Sequence, residues 1–220
     1  MPHAPSTSLA VPRRRLQREE RERHFLDEAT AFFAEVGFSG DTKTLAARLG
    51  VAQPLLYRYF ASKDDLIGRV FEETFLSHWS PAWRAMLTDP ALDVAGRLMA
   101  FHTDFARVHL KRDRVRLSLF FALRGWDMGA YFRLMREQVY LPIAANLRAH
   151  AGEPPPDEKP LHEVEVELAK SVVEKIQYYG IRKWVYEIPS LPPVEPLIGI
   201  AVRGLLDGAR GALPGFGRGR

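Results

Sequence analysis

The sequence predicts an all-α fold, and three observations carry that expectation. Apolar residues recur at helical spacing, as in the stripe Phe25, Ala29, Phe32, Phe33 and Val36. No run of alternating apolar and polar residues bounded by turn signals reads as a strand. Gly37 and Gly50 end helical stretches, and prolines 154–156 mark a loop between two others. The 220 residues, 46% hydrophobic and 26% charged, suffice for one or two domains with a real core. No internal repeat of fixed period is evident.

The elements follow in order. Residues 1–12 hold Pro2, Pro5 and Pro12 among Ser and Thr, so a disordered basic arm is expected over residues 1–17. Helical patterning begins at about Arg18 and stops at Gly37. Asp41 is a capping candidate for a short helix from Thr42 to about Leu49, with Leu45, Ala46 and Leu49 inward and Gly50 as its breaker. A second short helix is expected from about Gln53 to Tyr59, with Pro54 in the first turn, where its missing N–H costs nothing. Ser62 is placed to cap a longer helix whose opening acids, Asp64 and Asp65, suit the helix dipole. Further helices are expected over 81–88, 92–110, 113–124, 128–150, 160–184 and 195–212. Prolines 154–156 and Pro189, Pro192 and Pro193 mark loops. The expected organisation is the arm, a three-helix unit over 18–70, a larger helical unit over 71–212 and a flexible tail over 213–220.

Composition excludes several classes. Cysteine is absent, which removes disulfides, thiolate zinc sites and cysteine nucleophiles. The longest apolar stretch near the middle, Leu119 to Leu123, falls far short of the roughly 18–20 residues of a membrane span, and the N-terminus reads as no secretory signal. A cytoplasmic protein without membrane contact is expected. Metalloprotease and hydrolase signatures and a phosphate-binding glycine loop are missing, so no enzyme, metal or cofactor is expected. His102 and His109 lie seven residues apart on one helix face, a spacing that suits structural histidines rather than metal ligands. The net charge is +4, and its distribution says more than its sum. Residues 1–23 hold six arginines against three glutamates, whereas residues 24–70 hold five cations against six acids. A basic arm before a folded unit can reach phosphates or a minor groove.

The segment Asp41–Lys63 reads DTKTLAARLGVAQPLLYRYFASK. Two short helices across a tight Gly50-Val51 turn form a helix-turn-helix, whose second helix enters the major groove. Leu45, Ala46, Leu49, Val51 and Leu56 supply the apolar seam. Gln53, Leu55, Tyr57, Arg58 and Tyr59 remain for a groove to meet. Together with the preceding FFAEVGF and the following KDDL, these motifs resemble the DNA-binding domain of the tetracycline-repressor (TetR) family over about residues 20–70. The resemblance implies that Tyr57, Tyr59 and Lys63 contact phosphates, with Thr42 and Lys43 doing the same from the first short helix. It implies that Gln53 reads bases, an adenine suiting its carboxamide, and that Leu55 touches a thymine methyl. Phe60 is expected as buried hinge packing. Ala52, Pro54 and Leu55 depart from the family's usual hydroxyl and small residues, so a distinct operator preference is expected.

The resemblance also implies a double-stranded operator DNA partner, a homodimer through the last two helices, and a cavity for an apolar or aromatic small-molecule effector. Pocket candidates are Phe101, Phe105, Phe120, Leu123, Trp126, Met135 and Tyr178. Lys111, Arg112, Arg114 and Arg116 read as a solvated helix start. Leu161, Val164, Leu168, Val172 and Ile176 form one association stripe, and Leu197, Ile198, Ala201, Leu205 and Ala209 a second, where Gly204 and Gly208 permit close approach. The function expected is a homodimeric, ligand-released repressor acting on a pseudo-palindromic operator. The alternative is a DNA-binding protein without an effector, acting architecturally or through a protein partner, which a filled second domain favours.

Overall fold

A computed structural model of the protein describes residues 13–77 and 79–213, with side chains from Gln17 onward. All regular structure among the described residues is helical. They form two compact units, the first ending at Glu73 and the second beginning at Thr74. Residues 1–12 of the expected arm and 214–220 of the expected tail lie outside the described residues.

In the first unit, α1 spans Arg13–Val36. It begins before the expected Arg18 because Arg, Leu, Gln and Glu, all good helix formers, follow Pro12 without interruption. Gly37 stops it at φ 74°, a left-handed conformation that only glycine adopts at little cost. α2 spans Thr42–Arg48 and is capped by Asp41, which accepts from the Thr44 amide at 2.8 Å. That bond lowers the Asp41 carboxyl below its ordinary range. Gly50, at φ 67°, turns the chain, and the Val51 amide returns to the Ala46 carbonyl at 2.9 Å. α3 covers Gln53–Leu56, shorter than expected because residues 57–59 close as a turn. Its N-cap, Ala52, offers no side-chain bond, and a hydroxyl there would add about 1 kcal/mol. α4, Lys63–Phe71, is capped by Ser62 as expected and continues into a π-helical turn, Glu72–Leu76. Phe25, Phe33, Leu45, Ala46, Leu56, Phe60 and Leu66 are buried together as the core.

The second unit contains α5 (Ala82–Thr88), α6 (Val94–His109), α7 (Arg112–Leu123), α8 (Gly129–Met135), α9 (Leu141–Ala151), α10 (Glu163–Trp184) and α11 (Val194–Ala212). The single helix expected over 128–150 is divided by a π-helical turn at Arg136–Tyr140, just before Pro142. A proline ring clashes with the carbonyl four residues back, and a widened turn relieves that clash. Trp83 is fully buried against Phe101 and Phe105, and its indole N–H donates to Asp104 Oδ2 at 2.8 Å. The two α6 histidines are structural: His102 and His109 are buried, bonded through Nδ1 to the Leu98 and Phe105 carbonyls at 2.7 and 3.0 Å.

Arg148, 2% exposed, ties the loop after α9 to α10. Its Nε and Nη2 donate to the two Glu165 oxygens at 2.7 and 2.6 Å, and further bonds reach the Pro154, Lys159 and Pro160 carbonyls. Glu165 also accepts from the His162 amide at 2.7 Å, completing a capping box. The buried charge of Arg148 is thus fully compensated.

Candidate nucleic-acid interface

The α2–turn–α3 unit is organised around one hydroxyl. Thr42, in the first turn of α2, is 5% exposed. Its Oγ1 accepts from Gln53 Nε2 at 2.8 Å and shares a hydrogen bond with the Tyr57 hydroxyl at 2.9 Å. Thr42, expected to meet phosphate, thus has its hydroxyl engaged by two neighbouring side chains. Burial of its hydroxyl under Gln53 and Tyr57 makes it the residue that positions both. Either hydroxyl can donate, and when Thr42 does so, the phenolic proton of Tyr57 is left for an outside acceptor. Gln53 keeps its carbonyl oxygen and one amide hydrogen beyond the Thr42 bond, the pair that a bidentate contact to adenine needs.

Around this hub the surface is cationic. Lys43 and Arg58 are exposed and Lys63 half-exposed, and none of the three forms an ion pair among the described residues. Tyr57 is 40% exposed at the end of α3, and Leu55 is half-buried beside it. Tyr59 packs edge-on against Phe25 of α1 at 5.2 Å, with the Arg18 guanidinium 5.8 Å from its ring centre. Arg18 therefore joins this face, a role the sequence signals only as a general basic bias. Arg48 does not: its guanidinium is engaged by Glu28 and by Glu35, the latter at 2.6 Å, locking α2 onto α1. Phe60 is 1% exposed, the buried packing residue it was expected to be.

Within the larger unit the seven pocket candidates are not brought together. Phe101, Phe105 and Met135 are fully buried core residues, Phe120 and Trp126 are half-buried, and Leu123 and Tyr178 are 86% and 55% exposed. Aromatic content locates a core, but helix rotation decides which rings face a void. A surface groove of about 240 Å³ lies between α10 and α11 against Ile176, Tyr178 and Leu197. A cavity of about 200 Å³ lies against α7, α8 and α10, bounded by Phe75, Arg114, Leu119, Tyr131 and Phe132. Arg114 is a residue that sequence reasoning missed. Expected at a solvated helix start, it is 8% exposed. The signal was its register: Leu117 and Phe121, both fully buried, lie three and seven residues on, so Arg114 heads the inward stripe of α7.

The association stripes also change. Val172, Ile176, Ile198, Leu205 and Ala209 are buried inside their own unit. The exposed apolar positions are Val164, Tyr178 and Ile200, with Leu168, Leu197 and Ala201 half-exposed. A Cβ built at Gly204 or Gly208 meets nothing within 4 Å.

A buried hydroxyl hub under a short second helix, flanked by outward lysine, arginine and tyrosine, defines a helix-turn-helix DNA-binding protein. Residues 25–70 match the family model for bacterial regulatory proteins of the tetR family. Over that segment, which holds α2 and α3, the chain resembles the DNA-binding domain of that family. The whole chain shares its fold with solved regulators. A TetR-like transcriptional regulator from Rhodococcus sp. RHA1 is 22% identical, with a TM-score of 0.59 over 89% of this chain and 96% of that one. AmtR of Mycobacterium smegmatis is 23% identical, with a TM-score of 0.59 over 96% and 98%. The ketosteroid transcriptional regulator of Mycobacterium tuberculosis is 18% identical, with a TM-score of 0.58 over 86% and 94%. At these identities the likeness is one of fold.

Proposed function

We propose that this regulator is a cytoplasmic homodimeric repressor that binds a pseudo-palindromic operator, one α3 per half-site, and leaves it when a small molecule occupies the larger unit. The observation that carries the reading is the outward face of α2 and α3, where Tyr57 is oriented through Thr42 and Lys43, Arg58 and Lys63 hold no ion pair among the described residues. Cations left unpaired on one face are what phosphate neutralisation requires. The α10–α11 surface supports the dimer: exposed Val164, Tyr178 and Ile200 flank open glycines that let a second helix approach closely. The cavity beside Arg114 supports release, which needs a ligand that binds one conformation better than the other.

The test is selection of fragmented genomic DNA by purified protein, with the Tyr57→Phe/Lys63→Ala double variant as control. Enrichment of a palindromic motif that the control loses is the expected result. No enrichment by the wild-type protein contradicts operator binding in the ligand-free state.

A further inference from the structure

α7 buries a guanidinium for which the described residues supply no carboxylate. Arg114 donates through Nη1 to the Thr74 carbonyl and through Nη2 to His109 Nε2 at 3.0 Å, and lies over the Phe75 ring at 5.1 Å. These partners are a carbonyl, a neutral imidazole and an aromatic face, and the Tyr131 phenol adds a hydrogen bond, so none carries a full negative charge. His109 holds its proton on Nδ1 against the Phe105 carbonyl, so its Nε2 is free to accept. Burial and the Arg114 charge together hold His109 well below its ordinary pKa. The Nε proton of Arg114 has no partner among the described residues, and the Thr74 hydroxyl beside it has none either. Arg148 is the internal contrast: also buried, it meets both oxygens of Glu165. An unpaired buried charge is costly, and such a charge persists where something outside the chain completes it.

The same guanidinium forms one wall of the 200 Å³ cavity, whose other walls include Phe75, Leu119, Met128, Tyr131 and Phe132. One cation, one phenol and the neutral side chains of His109, Ser118 and Gln177, set among apolar walls, fix the chemistry of an occupant. We propose that this cavity binds a small monocarboxylic acid with a compact apolar or aromatic body, its carboxylate taking the Nε proton of Arg114. The charge count favours a monoanion, because a phosphate monoester brings a second negative charge that no further cation in the wall offsets. The volume lies below the roughly 300–1,000 Å³ of drug-sized sites, which limits the body to about one ring or one branched chain. This names the effector class for the repressor proposed above, and it rests on that reading only for the consequence on DNA.

Calorimetric titration of the full chain with benzoate, phenylacetate and isovalerate tests the proposal, with benzamide and inorganic phosphate as controls. At least one acid binds, and benzamide and phosphate bind at least about tenfold more weakly than that acid. Arg114→Met, which removes the charge and roughly keeps the volume, loses acid binding. If that variant does not give a wild-type far-UV spectrum, Ala122→Trp, at an exposed position on the cavity wall, replaces it and must lose binding by blocking the mouth. No binding by any of the three acids, equal binding of benzamide, or binding that survives the substitution overturns the proposal. DNA retention measured in the same samples separates the two readings. Acid binding without DNA release sustains the carboxylate site and overturns ligand-released repression. Failure of all three acids with intact DNA binding overturns the site alone.

Discussion

Thr42 shows how much one buried hydroxyl can set. It holds a base-reading candidate, Gln53, and a phosphate-contacting candidate, Tyr57, in one hydrogen-bonded chain. Thr42→Val keeps the shape and removes the bonds. It should cost about 1 kcal/mol in urea denaturation and weaken binding to all DNA sequences in fluorescence anisotropy, with Thr42→Ser restoring both. Unchanged DNA affinity in Thr42→Val would contradict the positioning role. His102 makes a second residue-scale case. It is fully buried, packed on Phe101, and burial lowers its pKa to about 4. Between about pH 6.5 and pH 4 the unfolded chain binds a proton that the folded chain refuses, so stability falls as pH falls across that window. The slope approaches about 1.4 kcal/mol per pH unit for such a group. Urea melts of His102→Leu should show a visibly shallower slope between pH 6.5 and pH 5 than the wild type, and equal slopes would contradict this account.

At the scale of elements, the buried Arg148–Glu165 pair decides whether the loop between α9 and α10 holds its course. Glu165→Gln leaves Arg148 buried with half its compensation and weakens the capping box, and should cost about 3 kcal/mol, read as a lowered urea midpoint. The Arg148 hydrogen bonds also hold the Glu165 carboxyl below its ordinary range. The stability from that pair is therefore present above the ordinary carboxylate pKa and lost as pH falls through the lowered one. The elements themselves were largely legible in the sequence. Asp41, Gly37, Gly50 and Ser62 each act at the helix ends where local chemistry puts them. The π-helical turn before Pro142 was not legible, because nothing local says whether a proline kinks, breaks or widens a helix. Of the candidate interface, the residue types were legible and their couplings were not. Thr42, Gln53 and Tyr57 meet only once α2 and α3 are folded across Gly50. The inward Arg114 was misread because four basic residues between 111 and 116 looked like one solvated face, although the α7 register separates them.

At the scale of the whole molecule, the chain pairs a reading unit with a larger helical unit, and its proposed function needs two copies. The exposed row of α10 and α11 is where the copies should meet. Sedimentation velocity at micromolar concentration should give a dimer for the wild type and a monomer for Ile200→Glu, which buries a carboxylate against an apolar partner surface. A monomeric wild type would contradict the assembly. In the proposed complex, the face formed by α2, α3 and the start of α4 meets DNA through its unpaired cations. The most direct measurement is the salt dependence of DNA binding by fluorescence anisotropy, comparing the wild type with Lys63→Ala and Tyr57→Phe. Each neutralised phosphate contributes about 0.9 to the slope of log affinity against log salt. Lys63→Ala should therefore weaken binding and flatten the slope by about 1, while Tyr57→Phe should weaken binding and leave the slope unchanged. Wild-type affinity and slope in both variants would place the DNA contact elsewhere on the molecule.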